Sequence, residues 1–203
     1  HGKGDGLYIN SAGMGRREHD QIWNPSRVRA GDQIIVSGDL GRHGMAVLSV
    51  REGLAVETEI RSDVAPLWPV VSSLLQTGMQ AHCLRDLTRG GLSSAMNEIA
   101  QASGLTIRLE ENSIPVLAEV ESACEILGFS PLYVACEGRF VILSPPDQTA
   151  AILATLRCHP LTENAAAIGE VLPGQPGRVI LRNRLGVERI LDMLSGEQLP
   201  RIC

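Results

Sequence analysis

Long apolar runs are missing from this sequence: no stretch approaches the ~18 consecutive apolar residues that a bilayer-spanning helix requires. An excess of positive charge is missing as well. Lys+Arg number 18 against Asp+Glu 23, and a net charge of −5 gives no general attraction to phosphate backbones or anionic membrane surfaces. Neither nucleic acid nor membrane is therefore an expected partner. The cysteines Cys83, Cys124, Cys136, Cys158 and Cys203 form no C-x-x-C pair and are odd in number. Such spacing suggests neither a disulfide framework nor a zinc site, and no metal ligands are assigned. Internal repeats and low-complexity tracts are absent too. The opening "HGKGDG" has neither a basic nor an apolar leader character, so the expected location is cytoplasmic.

What is present suffices for a core. With 203 residues, 44% of them apolar, the chain can form one domain, or one domain and part of another. Strand-like and helix-like stretches alternate along it. "DGLYINSA" reads as a strand, and "GMGRREHDQIWNPSRVRAG" as a turn-rich passage. "DQIIVSG" is a buried-type strand, followed by a helix over about 41–52. "APLWPVVSSLLQTG" predicts a helix capped by Gly78. "QAHCLRD" reads as strand, "GGLSSAMNEIAQASG" as helix, "LTIRLEE" as strand and "PVLAEVESACEILG" as helix. "PLYVAC" and "RFVILSP" then read as two strands joined at Glu137-Gly138 by a hairpin or tight turn. A helix over about 147–157 and the strands "AIGEVL" and "RVILRN" complete the body. The interleaving predicts an α/β (α+β) architecture, a mixed sheet covered by helices.

Three stretches could carry chemistry. In "SGDLGRHG", Gly38, Gly41 and Gly44 lie between a strand and a helix, so the loop is either a phosphate or substrate cradle or an ordinary tight connection. His43 within it is a candidate catalyst or a plain loop residue. In "RDLTRGGL", Gly90-Gly91 opens a helix whose Leu92, Ala95, Met96 and Ile99 share an apolar face, so its first-turn N–H groups should be free to bind an anion. Asp86, Thr88 and Arg89 surround that opening, as anion-positioning groups or as caps and solvated charge. In "ACEGRF", Glu137 is either an exposed turn residue or a base at a sheet edge, where partial desolvation would suit it to proton removal.

Cysteine adds a further question. Cys83, Cys124, Cys136 and Cys158 sit in apolar surroundings and are expected to be buried. Cys203 ends the chain, which reads as a frayed terminus, an accident of where the chain stops, or a functional thiol. Its own α-carboxylate disfavours the thiolate and Arg201 compensates only in part, so activation of that sulfur would have to come from elsewhere.

Taken together, "GDQIIVSGDLGRHGMAV", "RDLTRGGLSSAMNEIA" and the terminal "LPRIC" resemble the HypE family of hydrogenase maturation proteins. These are carbamoyl dehydratases of the aminoimidazole ribonucleotide synthetase, selenophosphate synthetase and thiamin monophosphate kinase superfamily. The resemblance implies that residues 1–25 are the remnant of an N-terminal ATP-binding and dimerisation domain with its linker. It implies that 26–195 form the C-terminal α/β domain and 196–203 a flexible tail. The chemistry it implies starts with the carbamoyltransferase HypF, which carbamoylates the terminal thiol. ATP then activates the carboxamide oxygen, phosphate leaves, and the resulting thiocyanate donates cyanide to iron on the HypC–HypD complex.

By that resemblance Cys203 is the carrier and Glu137 the base, followed as in the family by Gly138 and a basic residue, Arg139. The family often has Asn before this glutamate, where this chain has Cys136. Asp86, Thr88, Arg89, Gly90 and Gly91 match a cleft-lining loop that positions the tail or the nucleotide phosphates, and His43 stands beside them. ATP and Mg²⁺ are implied as cofactors, held mostly by the N-terminal domain, and the full-length protein as a homodimer. From Gly196 to Cys203, eight extended residues would reach about 25 Å. Two alternatives stand beside this reading: a selenophosphate synthetase-like enzyme, which has no use for a terminal thiol, and a non-catalytic docking module for maturation partners.

Overall fold

Two strands bury both of their faces, and the rest of the molecule is arranged around them. The computed structural model describes Asn10, residues 12–51 and residues 59–193. The expected strand "DGLYINSA" falls largely outside the described residues, and the expected tail with Cys203 falls wholly outside them. β1 (Gln33–Val36) and β4 (Phe140–Ser144) are continuous apolar runs rather than alternating ones. Such runs require cover on both sides of a sheet. Ile34, Val36, Val141 and Leu143 face one core, while Ile35, Phe140 and Ile142 face the other.

The remaining elements are α1 (Arg42–Arg51), α2 (Trp68–Gln76), β2 (Cys83–Asp86), α3 (Gly91–Ser103), β3 (Thr106–Glu110), α4 (Ala118–Leu127), α5 (Thr149–Arg157), β5 (Ala166–Leu172), β6 (Arg178–Arg182) and β7 (Glu188–Ile190). The seven strands form one sheet in the order β2-β4-β1-β5-β3-β6-β7. Its pairings are antiparallel except for β3 with β6, which makes the sheet mixed, as expected. One face carries α3, whose Leu92, Ala95, Met96 and Ile99 all enter the larger core. Val70 and Leu74 of α2 and Ile152 and Leu156 of α5 pack on the opposite side, in the core that holds Ile35, Phe140 and Ile142. Met45 and Leu48 of α1 join Val120, Ala123 and Cys124 of α4 in a third cluster. Left-handed glycines end two of the helices, Gly104 after α3 and Gly128 after α4.

Three expectations need correction. "PLYVAC" is not a strand: Pro131–Tyr133 is a turn of 3₁₀ helix and the rest is an extended connection. β4 already has β1 on one edge and β2 on the other, so no edge is vacant for a hairpin partner. Glu137-Gly138 is consequently a corner rather than a hairpin turn. β7 was not expected, and its pattern of three exposed residues shows why its sequence carries no burial signal. Cys158 is exposed, just beyond the last turn of α5, while Cys83, Cys124 and Cys136 are buried. Among the described residues, no helix is long and apolar enough to cross a membrane.

Candidate functional site

All three glycine-bearing stretches converge on residues 135–139. From α1, Gly44 donates its N–H to the Ala135 carbonyl at 3.1 Å, and Gly41 donates to Cys136 Sγ at 3.2 Å. The "RDLTRGGL" loop contributes Leu87, whose carbonyl accepts from Cys136 N–H and whose N–H donates to the Arg139 carbonyl, both at 3.0 Å. Glu137 and Gly138 are thus bracketed by bonds at 136 and 139. Space is tight: a Cβ on Gly44 would lie 2.4 Å from a Val134 methyl, and one on Gly91 would lie 2.5 Å from the Val134 carbonyl. These glycines allow close approach of backbone to backbone.

A segment that sequence reasoning did not single out completes the corner. Asp63 accepts the Glu137 main-chain N–H through Oδ1 at 2.9 Å. Gly138 lies so close to it that a Cβ there would fall 1.8 Å from the Asp63 carbonyl oxygen. The neighbouring Ser62 accepts the Val64 N–H at 3.1 Å and meets His43 Nδ1 at 2.9 Å. Among the described residues, three polar atoms of this corner, His43 Nε2, Asp63 Oδ2 and Glu137 Oε1, are buried without a hydrogen-bond partner. Leaving such atoms unpaired in a dry interior costs about 1–3 kcal/mol each.

Arg139 supports the corner from the other side. Its guanidinium, 2% exposed, bonds Asp39 Oδ1 at 2.8 Å and the carbonyls of Asp39, Gly138 and Leu161 at 3.0 Å each. Arg42 Nε comes within 2.5 Å of Asp39 Oδ2, an electrostatic contact whose N–H is not aligned for a hydrogen bond. Burial pushes the Cys136 thiol well above its ordinary range, and the charge of Asp63 adds to the effect. That sulfur is an acceptor for Gly41, not a nucleophile.

The expected site residues separate into two groups. Glu137 and His43 come together through residues 62–63. Asp86 and Thr88 occupy each other: Asp86 Oδ1 accepts the Thr88 hydroxyl at 2.8 Å, and Arg89 is exposed. The start of α3 differs from expectation. Gly90, at φ +71°, and Gly91 admit the chain into a packed environment in which Gly91, Leu92, Ser93 and Ser94 are buried, against the carbonyls of Leu132 and Val134. This helix start is therefore closed off by the 131–136 connection rather than open to an anion. Sequence reasoning missed Asp39, Ser62 and Asp63. Asp39 lies within a quoted stretch, but "RSDVAP" around Ser62 and Asp63 has no pattern that could have marked it. Among the described residues no group of three or more His, Cys, Asp or Glu side chains is arranged to hold a metal ion. The Mg²⁺ that the resemblance implies would be held mostly by the N-terminal domain.

The arrangement of this sheet, with a rigid corner set where β1 ends and β4 begins, has relatives. The chain belongs to the AIR synthase related family, whose C-terminal domain matches residues 29–182. Within it the chain is similar to the carbamoyl dehydratase HypE of Cupriavidus necator, with 46% identity over 202 residues, covering 100% of this chain and 58% of the relative. It is also similar to the crystal structure of hydrogenase maturation protein HypE in complex with ATP, at a TM-score of 0.85 and 41% identity over 89% of this chain and 55% of that one. The structure of a HypE–HypF complex matches at a TM-score of 0.78 and 36% identity, over 84% of this chain and 55% of that one. The chain thus spans 58% of the length of the Cupriavidus protein.

Proposed function

We propose that this chain is the C-terminal part of a HypE-type carbamoyl dehydratase acting in [NiFe] hydrogenase maturation in the cytoplasm. Residues 1–25 belong to the N-terminal domain and its linker, 26–195 to the C-terminal domain, and 196–203 to a tail that carries Cys203. HypF transfers a carbamoyl group to the Cys203 thiol. In the ATP-dependent step the carboxamide oxygen takes the γ-phosphoryl group and releases ADP. The nitrogen gives up both of its protons, one on phosphorylation and the second to Glu137. As that second proton leaves, the carbon–nitrogen triple bond closes, the C–O bond breaks and phosphate departs with the oxygen. The thiocyanate then passes its cyano group to iron on HypC–HypD: the S–C bond breaks, the Cys203 thiolate is regenerated, and a two-electron reductant on the acceptor complex supplies the electron pair that leaves the group bound as cyanide. His43 and the Asp86–Gly91 loop, with Thr88, Arg89 and Gly90, border the approach of the tail. The nucleotide, Mg²⁺ and homodimer contacts reside mainly in the N-terminal domain, so the chain by itself is expected to be inactive.

One observation carries this reading: Glu137 has its main chain locked on both sides while, among the described residues, a buried oxygen of its carboxylate lacks a partner. A base held still, with an unused acceptor, fits the removal of an N–H proton within hydrogen-bond reach. The test is intact-mass analysis of the full-length protein incubated with HypF, carbamoyl phosphate and ATP. Gain of a carbamoyl group followed by loss of water supports the assignment, and a Cys203→Ala protein should gain nothing. An unmodified wild-type tail would overturn it.

A further inference from the structure

We infer that Asp63 is a positioning residue that sets the direction of the Glu137 carboxylate, an inference that rests on the dehydration reading above. Among the described residues the Glu137 carboxylate oxygen Oε1 has no partner, so its aim follows from the main chain that bears it. Asp63 fixes that main chain twice. Its Oδ1 accepts the Glu137 N–H at 2.9 Å, and its carbonyl is pressed so closely on Gly138 that no side chain fits between them. Asp63 is 4% exposed, and among the described residues its other oxygen is buried without a partner. Burying a carboxylate with one oxygen unpaired is costly, and an apolar residue there would leave the Glu137 N–H without its acceptor. The next residue back, Ser62, is tied to His43 at the start of α1, so residues 62–63 join two site residues that lie far apart in sequence. Arg139 holds Gly138 from the opposite side through its carbonyl. Glu137 thereby stands on a two-sided mount, with Asp63 as the half that contacts it directly.

The inference is tested in the full-length protein with Asp63→Ala, Asp63→Asn and Glu137→Gln. Asp63→Ala should slow conversion of the carbamoylated tail to thiocyanate by roughly ten- to hundredfold, as small misplacements of a reacting group do. The KM for ATP and the rate of carbamoylation by HypF should not change. Amide hydrogen exchange at Glu137 should become faster. Asp63→Asn keeps an oxygen acceptor and should recover most of both losses. Wild-type dehydration by Asp63→Ala, or an unchanged Glu137 amide, would overturn the inference. If Asp63→Ala does not fold, Asp63→Asn decides: a folded protein below a tenth of the wild-type rate overturns it, and a faster one with a protected Glu137 amide supports it. Wild-type dehydration by Glu137→Gln would instead remove the catalytic reading, leaving the exchange measurement to decide whether Asp63 anchors the corner.

Discussion

Arg139 grips Asp39 by two different atoms, Nη2 to the carboxylate at 2.8 Å and Nε to the main-chain carbonyl at 3.0 Å. Both residues are 2% exposed. The pair ties the loop after β1 to the residue just before β4, across the base of the Glu137 corner. Arg139→Met should therefore cost about 3–5 kcal/mol, because it strands a buried carboxylate and three carbonyls. Arg42 remains near Asp39 and should keep the loss toward the lower figure. The midpoint of urea unfolding checks it, with Arg51→Met on exposed α1 surface as a control expected to shift by no more than about 0.5 kcal/mol.

Gly91 and Gly104 form a natural comparison at the two ends of α3. Both have positive φ, +58° and +69°, but an added Cβ meets the Val134 carbonyl at 2.5 Å in the first case and nothing within 4 Å in the second. Gly104→Ala should cost only the left-handed backbone penalty, roughly 1–2 kcal/mol. Gly91→Ala must in addition displace the 132–134 backbone and should cost more than its counterpart. Thermal unfolding of the two variants measures the difference, and equal losses would mean that the connection yields freely.

Burial raises the Cys83 and Cys124 thiols from 9.0 to about 11, with Arg85 opposing the rise at Cys83 and Glu121 adding to it at Cys124. Between pH 9 and 11 the unfolded chain has released these protons while the folded chain keeps them. Stability should therefore be unaffected by these groups below pH 9 and fall as pH climbs toward 11. Urea midpoints at several alkaline pH values check the slope, which a Cys83→Ala, Cys124→Ala protein should reduce, the remainder coming from the raised Cys136 thiol.

Exposure also separates the cysteines chemically. Cys158 is exposed, whereas Cys83, Cys124 and Cys136 are buried. Iodoacetamide at neutral pH should modify Cys158 in minutes and leave the three buried thiols intact until the protein unfolds, as peptide mapping would show. Any assay of Cys203 carbamoylation by thiol blocking thus needs a Cys158→Ser background.

If Glu137 is the base, Glu137→Gln should lower dehydration by roughly 10²–10⁴-fold. The tail would still be carbamoylated, so intact mass should show the carbamoylated form accumulating without loss of water. A variant that dehydrates normally would assign the proton to another group.

Much of the fold was legible because burial writes itself into local pattern. The apolar runs "QIIV" and "FVIL" marked strands covered on both faces, and the spacing of Leu92, Ala95, Met96 and Ile99 marked the buried stripe of α3. "PLYVAC" misled for the same reason. Leu132, Val134, Ala135 and Cys136 are buried as a strand's apolar run would be, but whether an extended run becomes a strand depends on a vacant sheet edge, and β4 had none. At the site, Glu137 and the glycine loops were visible as unusual residues in strand-to-helix passages. Asp63 was not, because its importance comes from contact with a corner 74 positions along the chain, which leaves no local trace. The closed start of α3 was hidden likewise, since only the 131–136 connection seals it.

The order of the sheet has a consequence for biosynthesis. Gln33 pairs with Ser144 on one side and Glu170 on the other, so β1 leaves the ribosome long before either neighbour exists. Its apolar side chains must wait, uncovered, until translation has passed residue 172, and nascent chains of this kind are exposed to aggregation in the interval. The central strand is made early and seated late, which makes chaperone supply during synthesis a determinant of yield.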